Sequence, residues 1–135
     1  MTEARVNPAL IGKAGELLVA AELMRRGVEV AYPASDVGVD LLAYRLEHGQ
    51  KSAGYFVPIQ VKSRSASGYQ FFRRWFDQVP GLVLVHVWFA ATTPEFYVFG
   101  NLADVEAALD THARSPSWLE QGNYSVTGAT ERTTA

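Results

Sequence analysis

The stretch Tyr55–Ser63, written YFVPIQVKS, carries two polar side chains in a segment that otherwise resembles a core strand. Residues two apart in an extended strand face the same way, so Gln60 and Lys62 share one face. An amide and an ammonium group inside a small protein cost stability unless they have partners. Either this is an edge strand with a solvated face, or the strand keeps polar groups inside for chemistry.

Two acidic residues also interrupt apolar surroundings. Glu16 lies in a predicted first helix, on a face that it shares with nonpolar residues, and Asp40 begins a predicted second strand. Hairpin pairing of the second and third strands would bring Asp40 beside Gln60 and Lys62. The first helix, packed over this sheet, would add Glu16, so the four residues form one candidate site.

A carboxylate, an amide oxygen and a lysine around one point suit a hard divalent cation and a phosphate. Mg²⁺ prefers carboxylate, carbonyl and water oxygens. A metal-activated water attacks the phosphorus, while a lysine orients that water or offsets charge on the phosphorane oxygens. The residue types therefore indicate phosphoryl chemistry with Mg²⁺ or Mn²⁺ as cofactor.

Each candidate also has a purely structural interpretation. Glu16 can be a solvated helix carboxylate, and Asp40 can cap a turn. Gln60 and Lys62 can form the exposed face of an edge strand, where lysine discourages aggregation. Asp36 is a further carboxylate nearby, and we interpret it as a turn residue.

The first helix is predicted to begin at Asn7-Pro8 and to end at Gly27, because proline favours the first helical position and glycine the position after the last. Apolar residues at helical spacing form its main expected stripe. They are Leu10, Ala14, Leu17, Leu18, Ala21 and Met24.

Short apolar runs separated by turn residues predict strands. These are Val28–Pro33, Val39–Leu46, Tyr55–Lys62, Pro80–Ala91 and Phe96–Gly100. The fourth is almost continuously apolar, which is typical of a central strand buried on both faces. Asn101 is a candidate cap for a final helix. A segment from Gly68 to Val79 is either a short helix or irregular. The order predicts a mixed α/β fold with the third and fourth strands at the centre of the sheet.

The chain has 135 residues, 48% of them hydrophobic and 19% charged, which is typical of one globular domain. We assign residues 1–126 to it and expect 127–135 to be a frayed tail. The absence of cysteine excludes disulfides and thiolate zinc sites. The histidines show no ligand spacing: His86 is interpreted as a satisfied core residue, and His48 and His112 as surface residues.

The net charge of −2 argues against nonspecific coating of nucleic acid. Ten of the twelve Lys and Arg residues nevertheless precede Leu82, so the first part of the chain can present a mildly basic surface. The N-terminus has no signal-peptide pattern, and no apolar run reaches the roughly 18 residues of a membrane span. We therefore expect a soluble, cytoplasmic protein.

Lys13, Arg64, Arg73 and Arg74 are the candidate nucleic-acid contacts. The three arginines are interleaved with aromatic residues, a combination that grips a phosphate backbone and stacks on bases. In the alternative interpretation the aromatic residues belong to the core and the arginines flank them. The aromatic residues in question are Tyr69, Phe71, Phe72, Trp75 and Phe76. We favour the core for Phe72 and Phe76, and phosphate contact for Arg64.

The segment GKAGELLVAAELMRRGVEVAYPASDVGVDLLA, followed by YFVPIQVKS, resembles the PD-(D/E)XK nuclease superfamily. The resemblance rests on a glutamate in the first helix, an aspartate opening the second strand and a (E/Q)-x-K strand. This superfamily includes restriction enzymes, Holliday-junction resolvases and a homing-endonuclease branch with Q-x-K. The later stretch Tyr69–Gly100 is similar to another of its branches, so the likeness covers Gly12–Gly100. Val39 stands where the family usually has proline.

This resemblance implies a restriction-endonuclease-like αβββαβ core, with a mixed sheet flanked by helices. It implies DNA as substrate and a homodimer or homotetramer. Glu16 would be the helix acid, Asp40 the principal metal ligand and Lys62 the catalytic lysine. Gln60 would replace the second carboxylate and bind metal through its side-chain oxygen, with weaker affinity because an amide is neutral.

Two rival interpretations stay open. One is a catalytically inactive nuclease-fold module that binds nucleic acid or protein, since Q-x-K also occurs in lapsed enzymes. The other is an α/β interaction protein with no nucleic-acid role, which predicts no effect of divalent metal on stability.

Overall fold

The computed structural model describes residues 6–35, 37–45 and 56–127. The helices are α1 (Pro8–Arg25), α2 (Arg73–Gln78), α3 (Leu102–Leu109) and α4 (Pro116–Leu119), with a 3₁₀ turn at Asp110–Arg114. The strands are β1 (Glu29–Ala31), β2 (Leu41–Tyr44), β3 (Val57–Ser63), β4 (Gly68–Phe72), β5 (Val83–Trp88), β6 (Glu95–Phe99) and β7 (Asn123–Thr127).

The main sheet has five strands in the order β1-β2-β3-β5-β6. Its first three strands form an antiparallel meander, β5 runs parallel to β3, and β6 is antiparallel to β5. A parallel neighbour requires a crossover, and β4 with α2 supplies it. The predicted mixed α/β fold and the central place of β3 and β5 are confirmed.

Each face of the main sheet carries its own hydrophobic cluster. Alternate residues such as Ile59 and Val85 pack under α1. The intervening positions of β5, such as Leu84 and Trp88, pack on the other face with aromatic residues of β4 and α2. The two faces therefore have different neighbours, and a polar residue on β3 belongs to one or the other.

Helix α1 begins and ends as predicted. Asn7 caps it, with Oδ1 accepting a hydrogen bond from Ala9 N at 2.8 Å, and Pro8 is its first residue. Gly27 follows the helix with φ of +80°, a conformation that favours glycine.

The main apolar stripe predicted for α1 is not the face that the helix buries, apart from Leu18, which packs against the core. Leu10, Leu17 and Met24 are 63%, 52% and 53% exposed, and the helix instead buries a face of mainly small residues. The buried residues are Ile11, Gly15, Val19 and Ala20. Gly15 explains the choice of face, because a Cβ on it would lie 1.5 Å from Ser63 Oγ. The helix thus approaches β3 more closely than a leucine face would allow.

The segment whose structure was left open contains both a strand and a helix. Gly68–Phe72 is β4, which pairs antiparallel with β7 in a second, two-stranded sheet, and α2 follows at once. The sequence near the C-terminus docks back as expected, and Trp118 is fully buried. Asn101 caps α3 as predicted, with Oδ1 accepting from Asp104 N at 2.9 Å.

Several predictions concern residues outside the described ranges. Asp36, His48 and the tail from residue 128 onward belong there. Thr127, which was assigned to the tail, pairs with Gly68 at the end of β7. Within residues 6–35, 37–45 and 56–127, no helix combines the length and the apolar character that crossing a membrane requires.

Candidate functional site

Gln60 and Lys62 lie on the face of β3 that is turned away from α1. In the parallel pair with β5, Gln60 is opposite Leu84 and Lys62 is opposite His86. Lys62 reaches Trp75 of α2, with Nζ 4.8 Å from a ring centroid. The strand is central, so the edge-strand interpretation is wrong: it lies between β2 and β5.

Asp40 lies just before β2, at the open end of the β2–β3 hairpin. Its backbone N–H donates to the carbonyl of Ile59 at 2.8 Å, and its Oδ2 accepts from the N–H of Val61 at 2.7 Å. Since Leu41 pairs with Ile59, Asp40 falls at the level of Gln60. The carboxylate therefore meets β3 between Gln60 and the lysine that follows Val61. It also takes the place of a strand carbonyl in the ladder, which is a structural role.

Gln60 is 7% exposed, and its Oε1 has no hydrogen-bond partner among the residues that the structure describes. An unsatisfied buried polar atom costs about 1–3 kcal/mol. The oxygen is shielded from solvent on the face of β3 where the opposite residue, Leu84, packs with the aromatic residues of β4 and α2. A bound group that coordinates this oxygen would remove the penalty.

Glu16 lies on the opposite face of the sheet from Gln60 and Lys62. Its Oε2 is 3.2 Å from Lys13 Nζ, and the two side chains are 24% and 61% exposed. The adjacent Gly15 contacts Ser63, so this turn of α1 lies over the carboxyl end of β3. The structure thus brings Asp40 to the Gln60–Lys62 strand but directs Glu16 toward Lys13.

The candidate metal ligands fit a sparse, oxygen-rich site. Among the residues that the structure describes, no three histidine or acidic side chains gather closely enough to hold a metal. Asp40 and Gln60 offer one carboxylate and one orphaned amide oxygen. Mg²⁺ commonly takes only one or two protein carboxylates and completes its shell with water and substrate phosphate. The pair therefore fits Mg²⁺ or Mn²⁺ bound weakly.

A cavity of about 300 Å³ lies beside Lys62, between β3 and β5 on one side and the β4–β7 sheet on the other. Its lining residues are Lys62, Ser63, Arg64, Gln70, His86 and Ser125. Trp88 Nε1 donates to the carbonyl of Gly68 at 2.8 Å and so holds β4 against β5. Of the predicted nucleic-acid contacts, Arg64 is the one that lines this cavity.

The other predicted nucleic-acid contacts are scattered. Lys13 is on α1, on the far side of the sheet, with Nζ 5.6 Å from the ring centroid of Tyr32. Arg73 is committed to the protein: its Nη2 donates to the carbonyl of Trp118, and its guanidinium lies over that indole ring. Arg74 is exposed and lies over the Phe72 ring at 4.7 Å. These cations do not form one surface.

The aromatic residues between these arginines are mostly core. Tyr69, Phe71 and Trp75 are buried, and Phe72 and Phe76 pack against the same cluster. The base-stacking interpretation is therefore wrong for the three buried rings, because a base cannot reach them without opening the core.

His86 is buried as predicted, yet it is not satisfied. It is 1% exposed, and within the described part of the chain neither ring nitrogen has a hydrogen-bond partner. Burial lowers the pKa of His86 from 6.5 to about 3, and the charges of Lys62 and Arg64 act in the same direction. The backbone of Gln70 opposes this shift more strongly than either charge reinforces it, although it does not reach normal hydrogen-bond geometry with the ring. The apolar sequence around His86 gives no sign that its ring nitrogens lack partners. Only the pairing of β3 with β5 shows that His86 lies opposite Lys62.

The pKa of His86 makes the stability of the fold pH-dependent. The folded pKa of about 3 lies below the unfolded value of 6.5, so the contribution is complete above pH 6.5 and is lost as pH falls toward 3. We expect the free energy of unfolding to fall by up to about 1.4 kcal/mol per pH unit in that window. Urea denaturation of wild type and His86→Phe between pH 7.5 and 4.5 checks this. Equal pH slopes in the two proteins would show that His86 is not the titrating group.

Comparison with known proteins adds no identification. The chain matches no family model, and no curated protein shows significant sequence similarity to it. Its function must therefore be argued from the arrangement of its own residues.

Proposed function

We propose that the protein is a metal-dependent DNA endonuclease that acts in the cytoplasm and hydrolyses phosphodiester bonds. The observation that carries this proposal is the hydrogen bond from Val61 N–H to the Asp40 carboxylate, which brings that carboxylate to β3 between residues Gln60 and Lys62. A carboxylate, an orphaned amide oxygen and a lysine on one short stretch of the sheet are residue types that a metal and phosphate site uses.

The order of elements supports the same proposal. The chain begins with a helix and three antiparallel strands, which are α1, β1, β2 and β3. A second helix, α2, and then β5, which is parallel to β3, come later. This is the αβββαβ order that the resemblance to PD-(D/E)XK nucleases implies. Strand β4 is an insertion between β3 and α2.

Asp40, Gln60, Lys62 and Glu16 have different roles in the proposed hydrolysis. Asp40 and Gln60 would hold a divalent cation, and that cation, when bound, would supply charge neutralisation and activation of a water. Lys62 faces the cavity and offsets negative charge on the phosphate oxygens as the transition state forms. Glu16, paired with Lys13 on the other face, contributes less than the residues of β2 and β3.

Two substitutions at Asp40 separate its structural role from metal binding. Asp40→Asn keeps an oxygen that can accept from Val61 N–H but removes the charge, whereas Asp40→Ala removes both. We expect Asp40→Asn to stay folded and to lose at least about 10²-fold in Mn²⁺- or Mg²⁺-dependent cleavage. Asp40→Ala should also unfold more easily, by about 1–2 kcal/mol.

The assay is cleavage of supercoiled plasmid, single-stranded DNA and a four-way junction, with a thermal melt of each variant in EDTA. Wild-type activity in Asp40→Asn would contradict the metal-binding role. If wild type itself cuts none of the three DNAs but binds one of them, the protein is the nuclease-fold binding module. The neutral Gln60 and the ion pair of Glu16 favour that second candidate.

We further propose that the chain is a homodimer joined through the exposed face of α1. Leu10, Leu17 and Met24 are spaced by seven residues, with Ala14 and Ala21 between them, so large and small side chains alternate. A two-fold axis at Leu17 would place Leu10 against Met24 of the partner subunit, with the alanines meeting each other. The pattern thus complements itself in an antiparallel pair of helices.

Leu17→Glu should convert the dimer to a monomer, because two charges would meet at the axis in place of two leucines. Burial of a leucine side chain contributes about 1.5–3 kcal/mol, and this interface would lose two. Light scattering after size exclusion gives the mass, and Leu119→Glu, at an exposed leucine of α4, is the matched control. A wild-type monomer, or equal masses for both variants, would exclude the interface.

A further inference from the structure

The cavity beside Lys62 has a chemical character that cleavage alone does not require. None of its six lining residues is acidic, and two of them, Lys62 and Arg64, are cations. The remaining four are two serines, Gln70 and His86. Such a lining attracts an anion and offers nothing to repel one.

His86 gives the cavity a buried donor without a partner. Both ring nitrogens lack a hydrogen bond to any residue in the ranges 6–35, 37–45 and 56–127, although the residue is 1% exposed. The ring packs against Tyr69 and Phe71, at centroid distances of 5.3 and 5.2 Å, where an apolar ring would satisfy the packing. A neutral imidazole carries one N–H, and an anion in the cavity would give that group an acceptor.

The two cations are held in place by the fold. Lys62 lies with Nζ 4.8 Å from a ring centroid of Trp75. The backbone of Arg64 continues the parallel ladder, since its N–H donates to Val87 O at 2.9 Å and its carbonyl accepts from Ala90 N at 3.0 Å. A Cβ on Gly68 would lie 2.8 Å from Arg64 Nη1, so the guanidinium occupies the space that this glycine leaves. The anion site is therefore built rather than incidental.

We propose that this cavity binds a phosphomonoester, as free phosphate or as the phosphorylated end of a nucleic-acid strand, through Lys62, Arg64 and His86. A phosphomonoester near neutral pH has close to two negative charges and three terminal oxygens. Two cations and one neutral N–H match that charge and oxygen count. An internal phosphodiester has one charge and two free oxygens, and so matches two cations less well.

This site goes beyond the proposed cleavage, because it needs neither a metal nor Asp40. The two proposals share Lys62 but fail separately. Binding is measured in EDTA, where no metal-dependent cleavage occurs, so a positive result here says nothing for the nuclease and a negative one nothing against it.

The test is titration of the ¹⁵N-labelled protein with inorganic phosphate in EDTA, following the ring nitrogens of His86. We expect saturable shifts of these resonances in wild type. Arg64→Gln should weaken binding at least tenfold, whereas Arg114→Gln, an exposed cation on the 3₁₀ turn, should bind as wild type does. His86→Phe should stay folded and lose affinity for phosphate, which is followed in this variant through the backbone amides of Lys62 and Arg64.

Oligonucleotides distinguish the source of the phosphate. If a strand end is the ligand, a 5′- or 3′-phosphorylated oligonucleotide shifts His86 at a lower concentration than its unphosphorylated counterpart. If free phosphate is the ligand, the two oligonucleotides behave alike and phosphate alone shifts the ring. Unmoved His86 resonances with every probe, or equal phosphate affinity in Arg64→Gln and Arg114→Gln, would overturn the assignment.

Discussion

Lys62→Ala will lower metal-dependent DNA cleavage by at least about 10²-fold while leaving the protein folded. The side chain places a cation on the cavity face of β3, and loss of one group that stabilises developing negative charge costs about 10²–10³ in rate. The contact of Nζ with Trp75 is also lost, which should reduce the free energy of unfolding by about 0.5–1 kcal/mol. The loss of activity is thus far larger than any loss of folded protein.

The measurement is the initial rate of nicking with Mn²⁺ and with Mg²⁺, at a temperature where both proteins are folded by circular dichroism. Arg114→Ala is the matched control, since this exposed cation lies on the 3₁₀ turn and lines no part of the cavity near Lys62. Cleavage by Lys62→Ala at the rate of the control would remove the lysine from the mechanism.

Gly15→Ala will destabilise the fold strongly, although alanine is the better helix former. A Cβ at this position would overlap Ser63 Oγ at 1.5 Å and Ser63 Cβ at 2.6 Å. Either α1 must lift from β3 or the strand must shift, and overpacking of this kind costs about 1–3 kcal/mol. Since Ser63 follows Lys62, a shift of the strand would disturb the candidate site as well.

Gly12→Ala is the matched control within the same helix. Among the described residues, no atom outside the backbone of the helix itself and the two chain neighbours lies within 4 Å of a Cβ at Gly12, so alanine there should stabilise the protein by up to about 1 kcal/mol. Ser63→Gly removes both overlapping atoms and should restore most of the stability of Gly15→Ala. Urea denaturation of wild type, Gly15→Ala, Gly12→Ala and the double variant Gly15→Ala/Ser63→Gly is the measurement, and equal effects of Gly15→Ala and Gly12→Ala would contradict the close-approach explanation.

The sequence predicted the presence of α1 but not its buried face. Caps and helical spacing are local signals, and Asn7, Pro8 and Gly27 set the ends correctly. The face is decided by the distance to β3, which Gly15 permits and which no pattern of hydrophobicity encodes. The spacing of large apolar residues therefore indicated a stripe of α1 that is mostly exposed in the structure.

The candidate site was also predictable only where local patterns determine it. Alternation along β3 gave the shared face of Gln60 and Lys62, and hairpin pairing brought Asp40 to this strand. Which layer covers that face depends on long-range packing, so the separation of Glu16 could not be predicted. The orphaned His86 was hidden because it depends on the register between β3 and β5.

Strand β4 was not predicted because its residue types are compatible with both a strand and a helix. Tyr69, Phe71 and Phe72 suit a strand as well as an aromatic helix, and the run has no turn residue before Arg73. Pairing with β7, more than fifty residues later in the chain, decides for the strand. This contact is invisible to local patterns.

Paramagnetic broadening by Mn²⁺ tests the central claim most directly, because it locates a bound cation without requiring the correct DNA. Substoichiometric Mn²⁺ should broaden the backbone amide resonances of Asp40, Gln60 and Val61 first, and Asp40→Asn should abolish this selective effect. Broadening that spares these three amides, or that persists unchanged in Asp40→Asn, would contradict a metal site at this end of the hairpin.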